Sequence, residues 1–350
     1  MKIMNGFLAK RFILNLSLVL FVVCGVIFAI SFMEYIASMP TFADALDSSL
    51  LHFLEVFPMF LPLAVFIGTL LTFHKLLLSS ELVIIQSSGW SSYKIMRPML
   101  FVSVILGIIT IIVINPLSTR YSARELKNSR IEKIDNAAWL REKTNEGSLI
   151  IRAMNIKNME NNGLAFIKAS IIKQNSSHQI IERIDADSLL LNDRKFTAKN
   201  ALILDSKGLE RKGNVNIATN LSPESIIRQY LKPNQISFWK LPDFIKNLKM
   251  MGIPVAMHLL QFLTLLFLPF VLLAMTVLGA AFSQTRQRRK ISISKHFGFG
   301  IITCFVVYFI IQIFNSIGSA GAMSPFLAVA FPPAIVLFFA ATVIIKSDNI

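Results

Sequence analysis

The run from Phe12 to Met33, FILNLSLVLFVVCGVIFAISFM, carries no charged side chain. A bilayer's hydrocarbon core takes about 20 apolar residues of helix to cross. The run is too long for the apolar core of a signal peptide, and no small-x-small cleavage site follows it, so it reads as a retained span. Five stretches of the same kind follow at Leu50–Phe73, Met99–Pro116, His258–Phe282, Phe297–Ser316 and Phe326–Ile345. Of the 350 residues, 54% are hydrophobic and 16% charged, against about 25% charged in soluble domains. That excludes a soluble enzyme, a disordered chain and a disulfide-rich secreted module. Cys24 and Cys304 lie inside apolar stretches, so they read as small core residues and imply no disulfide framework or zinc site.

The net charge of +15 fits loop bias or anionic lipid better than nucleic acid in such a chain. Lys2, Lys10 and Arg11 precede the first span, Lys75, Lys94 and Arg97 follow the second, and Arg286, Arg288, Arg289, Lys290 and Lys295 follow the fourth. Lys346 follows the sixth span. The loop after the first span has Glu34, Asp44 and Asp47 but no base, and the Gly318–Ser324 loop has no charge. By the positive-inside rule both termini are cytoplasmic. The cluster Arg286–Lys290 reads as a topology signal.

Between the third and fourth spans lies an insertion over residues 117–257, on the far side of the membrane. It holds 23 Lys and Arg against 14 Asp and Glu, a net +9, and is long enough for a domain with its own core. Leu117–Arg141 reads as a helix, because Arg120, Arg124, Lys127, Arg130 and Lys133 recur every three or four residues and share one side. Short apolar runs follow at Leu149–Ile156, Leu164–Lys173, Ile180–Ile184, Phe196–Leu204 and Val215–Thr219, punctuated by Asn161-Asn162-Gly163, Ser206-Lys207-Gly208 and Lys212-Gly213. They predict an antiparallel sandwich or roll. After Pro223, Trp239, Leu241, Phe244, Ile245 and Leu248 form the apolar side of an amphipathic helix lying on the membrane, with Trp239 as an interfacial anchor. The expected organisation is therefore helical 1–116, β-rich 117–257 and helical 258–350.

Catalytic chemistry is missing. There is no Gly-x-x-x-x-Gly-Lys phosphate loop and no Gly-x-Ser-x-Gly elbow, and the five histidines are scattered. Glu55 and His258 sit close to span ends, which argues against a proton relay through the helices. No cofactor is expected in this chain. If the protein moves something, another subunit supplies the energy.

The loop after the second span, Ser79-Ser-Glu-Leu-Val-Ile-Ile-Gln-Ser-Ser-Gly89, predicts a short helix. Ser79 or Ser80 is the N-cap, Glu81 stands in the first turn where the helix dipole favours an acid, Leu82, Ile85 and Gln86 share a face, and Gly89 caps the end. Such a piece fits a coupling helix that docks on an ATPase, or simply a tight capped turn. Glu81-Leu-Val-Ile-Ile-Gln-Ser-Ser-Gly89 resembles the signature loop of the LptF/LptG (YjgP/YjgQ) lipopolysaccharide-export permeases. The Asn115-Pro116 end of the third span, Leu221-Ser-Pro223 and Ile236-Ser-Phe-Trp-Lys-Leu-Pro242 extend the likeness along the chain, toward the LptG branch in particular.

The resemblance implies an integral membrane helical protein of six spans, three on each side of an inserted periplasmic jellyroll-like β domain. It implies a Gram-negative inner-membrane location and a heterodimer with an LptF-like permease. An LptB-like ATPase dimer would carry ATP and Mg, and an LptC/LptA-like bridge would receive the lipopolysaccharide. Glu81, Leu82, Ile85 and Gly89 would couple to the ATPase. Family members carry bases at the outer end of the first span that meet lipid phosphates; Phe32-Met33-Glu34-Tyr35 has none, so Arg120, Arg124 and Lys127 are the candidates here. Those bases equally suit a solvated helix face. Phe28, Phe32 and Phe57 are candidate linings for acyl chains, though lipid-facing positions read the same. Tyr308, Gln312 and Asn315 share one face of the fifth span, and suit bonding to a neighbouring helix or a lateral gate. Rival readings are a lipoprotein-exporting ABC permease, a lipid-modifying enzyme, and a sensor or scaffold with a ligand-binding outer domain.

Overall fold

In the computed structural model, residues 2–120, 138–144, 147–158, 163–175, 179–192, 195–205, 208–219, 221, 226, 233–250, 254–285 and 293–348 are described. Helices α1 (Lys2–Ile36), α2 (Phe42–Leu78), α3 (Glu81–Ser87) and α4 (Ser92–Ile109) open the chain. A π-helical segment at Thr110–Ile114 prolongs α4, and the span runs on to Arg120. Strands β1–β6 come next, followed by α5 (Leu241–Met250), α6 (Ala256–Thr285), α7 (Ile293–Ser319) and α8 (Pro325–Asp348). Among the described residues six helices are long and apolar enough to cross a membrane: α1, α2, prolonged α4, α6, α7 and α8. They coincide with the six expected spans. The chain divides into a helical unit (Met1–Tyr121, Ser237–Pro242, Ala256–Ile350) and a second unit (Ser122–Ile236, Asp243–Val255).

The helices outrun the apolar cores that announce them. α2 begins at Phe42 and not near Leu50, because Thr41 caps it: the Thr41 hydroxyl accepts the Asp44 N–H (3.2 Å) and donates to the Asp44 carboxylate (2.6 Å). Glu55 therefore lies inside helix α2, a few residues from the Leu50 end of its apolar span. Within the helical unit α2 and α6 are central, with 61% and 56% of their most apolar stretch buried, against 17% for α1 and 11% for α7. Gly107 of α4 lets the backbone of α6 come close; a Cβ there would lie 2.7 Å from the Cα of Pro269.

The inserted unit is a six-stranded antiparallel sheet in meander order: β1 (Ala138–Thr144), β2 (Gly147–Asn158), β3 (Leu164–Asn175), β4 (Ile180–Asn192), β5 (Lys195–Asp205) and β6 (Gly208–Ala218). One face is apolar along its length, and its Leu149, Ile151, Phe166, Ile171, Ile184, Leu189, Leu191 and Phe196 join a single buried cluster. The alternation changes phase midway: β3 buries Leu164 and Phe166, then Ala169 and Ile171, and β5 buries Phe196 and Ala198, then Ala201 and Ile203. The phase changes fall at Lys168 (φ 49°) and Asn200 (φ 52°), which are left out of the ladder pairs while the register on either side stays the same. Asn200 Nδ2 donates to Asp187 Oδ2 at 3.1 Å across that gap. A register shift lies between Lys173 and Gln174, where β3 meets β4, and irregularities of that kind sharpen twist.

Two expectations change. Residues 138–141, read as the end of a basic helix, are the start of β1; Arg124, Lys127, Arg130 and Lys133 lie outside the described residues, as do Asn161, Asn162, Ser206, Lys207, Pro223 and Arg286–Lys290. The amphipathic helix starts at Leu241, two residues after Trp239. Its Leu241 and Leu248 are buried within the protein, so part of its apolar side is already covered.

Candidate functional site

Chemistry in the helical unit concentrates where α1, α2 and α3 meet. Leu8, Phe12, Asn15, Leu16 and Val19 recur along α1 at spacings of one, three and four, and are its buried face. On the same face Asn15 Nδ2 donates to Thr72 Oγ1 (3.0 Å) and Asn15 Oδ1 accepts from Lys75 Nζ (2.7 Å). Asn15 is only 5% exposed, so its amide is satisfied where an unmet polar group would be costly. One turn earlier, Arg11 Nη2 donates to Glu81 Oε1 at 3.0 Å, with the guanidinium 5.2 Å from the centroid of the Phe7 ring. Glu81 Oε2 is closed off from solvent without a hydrogen-bond partner among the described residues.

The short helix α3 is where the sequence puts it. Its beginning differs: Ser80 takes a left-handed φ of 61° and its side chain caps nothing, while the Ser79 hydroxyl donates back to the Lys75 carbonyl (3.0 Å). Its end is a Schellman motif. The Gly89 N–H donates to the Gln86 carbonyl (2.9 Å) and the Trp90 N–H to the Ile85 carbonyl (3.4 Å), with Gly89 at φ 82°. Trp90 packs against the cluster that holds Ile85. Leu82 and Ile85 are 1% and 5% exposed, so they anchor α3 to the bundle and offer nothing outward; Val83 and Ile84 are the exposed apolar pair, joined by Leu78 and Tyr93. The sequence puts Leu82 and Ile85 on one face but does not say that this face turns inward.

The other candidates are scattered through the helical unit. Phe28 and Phe32 of α1 stack at 6.2 Å, and Phe32 meets Phe42 of α2 edge-on at 5.5 Å. Phe57 packs beside Phe53 (5.8 Å) and against the apolar core. Phe28, Phe32 and Phe57 are all half-buried. Arg120 is exposed at the end of the α4 span. Gln312 Nε2 donates to Tyr308 Oη at 2.8 Å, so this pair bonds within α7 and not to a neighbouring helix; Asn315 Oδ1 is enclosed without a partner among the described residues. The sequence singled out Asn115 only as the end of the third span; its Oδ1 accepts the Phe238 N–H (2.8 Å), and Phe238 stacks on Phe262 of α6 at 5.1 Å.

Six apolar spans, with an antiparallel sheet inserted between the third and fourth and a short capped helix between the second and third, define a multi-pass membrane protein. The profile of the family described as "Lipopolysaccharide export system permease LptF/LptG" matches residues 6–346, and the chain belongs to that family. It is 21% identical to the lipopolysaccharide export system permease protein LptG of Escherichia coli strain K12, over 95% of both chains, and equally to that of Escherichia coli O6:H1 strain CFT073. The chain is thus a transport component of the lipopolysaccharide-export class, with a sheet domain between its third and fourth spans.

Proposed function

We propose that this chain is one of two permease subunits of an ATP-driven exporter that lifts lipopolysaccharide out of the inner membrane. The partners are an LptF-like permease, an LptB-like cytoplasmic ATPase dimer holding ATP and Mg, and an LptC/LptA-like periplasmic bridge. The carrying observation is α3: seven residues, rooted by buried Leu82 and Ile85, ended by the Gly89 motif, and presenting Val83 and Ile84 to the outside. A rigid stub with an exposed apolar tip suits docking into a groove of a motor protein.

The alternation of basic and base-free loops supports cytoplasmic termini and a periplasmic sheet domain. ATP closure of the motor dimer presses α3, and the span pair around it tightens. Phe28, Phe32 and Phe57 line the path of acyl chains that enter sideways next to α1; Tyr308, Gln312 and Asn315 belong to the α7 side of such an entrance. Arg120, with Arg124 and Lys127, meets the lipid's phosphates, since an arginine can grip a phosphate bidentately. Exposing each buried methylene to water costs about 0.8 kcal/mol, so several acyl chains need a covered route through the apolar face of the sheet domain, and an energy source.

Purification of the tagged chain in mild detergent, with mass spectrometry of everything retained, tests this. An ATPase with a phosphate-binding loop, a second six-span permease and a phosphorylated glycolipid are expected. Val83→Asp with Ile84→Asp should release the ATPase and keep the second permease. A chain that emerges alone or as a homo-oligomer with bulk phospholipid overturns the proposal.

A further inference from the structure

We infer that Asn115 is a positioning residue for the inserted domain: it clamps the chain that leaves α4 for the sheet to the chain that returns from it, against α6, so that both passages move as one mount. The consequence for transport rests on the exporter reading above; the clamp itself stands on the helical unit alone.

The backbone of α4 is arranged to deliver this one amide. Ser103 meets Thr276 of α6, and one turn on Gly107 lies against Pro269. In an uninterrupted α-helix the residue on that line about two turns beyond Gly107 is Ile114. The π-helical turn at Thr110–Ile114 holds one residue more, with the Asn115 N–H donating to the Thr110 carbonyl. It therefore moves Asn115 into the place of Ile114. Asn115 is accordingly only 5% exposed, while Ile114 is half-buried. Single π turns inside α-helices are rare and collect at functional sites.

The Asn115 side chain is turned to the returning chain, and its Oδ1 accepts the Phe238 N–H at 2.8 Å. Phe238 stands in the turn that opens α5, where the Lys240 and Leu241 N–H groups donate to the Ser237 carbonyl (2.8 and 3.1 Å). The first N–H groups of a helical turn have no acceptor within it, so Asn115 caps this turn from another helix. The Phe238 ring lies nearly parallel to Phe262 of α6, at 5.1 Å and 14°. Asn115, Phe238 and Phe262 all belong to the helical unit.

The consequence lies in connectivity. The sheet strands join the spans by two passages of chain, one past Arg120 before β1 and one through Ser237 after β6. Were each passage free, the domain would turn on two separate hinges. With both held at Asn115, and α4 seated on α6 at Ser103 and Gly107, they follow one helix pair. None of the clamp's residues lies on α1 or α7, which have only 17% and 11% of their most apolar stretch buried. In the exporter reading lipid enters beside α1, so α1 can shift there without pulling directly on either passage.

Two measurements test this. In a chain with Cys24 and Cys304 replaced by alanine, spin labels at Leu117→Cys and Lys240→Cys, both exposed positions, report the distance between the two passages. With Asn115 intact the distribution should be single and narrow. Asn115→Leu loses the acceptor and should widen it at least about twofold, as a second arrangement becomes populated. Asn115→Asp keeps an acceptor and should stay near the wild-type width. Asn115→Ala carries the comparison if the leucine variant is not recovered as monodisperse protein. In the intact complex, in vesicles containing lipopolysaccharide, Asn115→Leu should keep the ATPase bound and lower lipid released per ATP by about fivefold, at the lower end of coupling between sites. Asn115→Asp should release lipid like wild type. A narrow distribution without the Asn115 acceptor, or equal widening in Asn115→Asp, overturns the clamp. A widened distribution with wild-type release per ATP overturns its part in transport. A wild-type chain that retains no ATPase and no glycolipid counts against the exporter reading alone, since the label distance needs neither.

Discussion

The two units of this chain are held together by opposite means. In the helical unit the closest contacts are made by small residues, such as Gly107 beneath Pro269, and buried hydroxyls return their protons to the carbonyl four residues back: Ser49, Thr69, Thr72, Ser103, Thr276 and Ser283. In the sheet unit the core is made of large side chains alternating along strands, and Phe166 meets Phe196 edge-on at 5.8 Å. The difference follows from the surroundings. Lipid tails are as apolar as leucine, so helices in a membrane gain little by hiding apolar surface and must gain by close approach. A sheet in water gains by removing apolar area, at about 25 cal/mol per Å².

The sharpest way to break that contrast is at Gly107. A side chain there meets backbone and not a movable side-chain tip, so Gly107→Val should cost about 4 kcal/mol or more. The amount of monodisperse protein recovered from membranes should fall at least about tenfold by fluorescence-detected size exclusion. Gly213 of β6 has open space around it, and Gly213→Ala should leave recovery unchanged. Normal recovery of Gly107→Val would mean that close approach does not hold α4 to α6. Next in size is Phe166→Ala, which should cost the sheet unit about 3–5 kcal/mol. Limited proteolysis should then open sites within residues 138–226, and the helical unit should stay monodisperse. Simultaneous loss of both would show that they fold as one.

The same difference explains what was readable. The spans announce themselves, because a charge-free run such as Phe12–Met33 has few other uses. The Ser-Ser and Gly89 signals located α3, yet Ser80 does not cap it and Leu82 and Ile85 turn inward. Arg11 looked like one more topology charge, since its partner is 70 positions away. In the sheet, the basic spacing of residues 120–133 carried a helical phase past the true start of β1 at Ala138. β4 read as ending at Ile184 because its inward positions change from Ile184 and Ala186 to Leu189 and Leu191 on either side of Asp187. Long-range pairing and phase changes are tertiary facts, and local periodicity does not carry them.

The smallest effect expected is at a polar contact that bridges α4 and α6. Ser103 Oγ and Thr276 Oγ1 lie 2.7 Å apart, and each is also placed to donate to its own helix, at the Met99 and Leu272 carbonyls (both 2.9 Å). Two protons face three bonds, so whichever hydroxyl donates across the gap gives up its carbonyl. That carbonyl already accepts a helical N–H and loses little. Ser103→Ala frees Thr276 to donate to Leu272 without compromise. The loss should therefore be about 0.6 kcal/mol, the size typical of side-chain bonds between helices in membranes. In detergent that amounts to a fall in melting temperature of about 1–2 °C. A loss above about 2 kcal/mol would say that the hydroxyl pair, and not the approach at Gly107 one turn away, holds these two helices together.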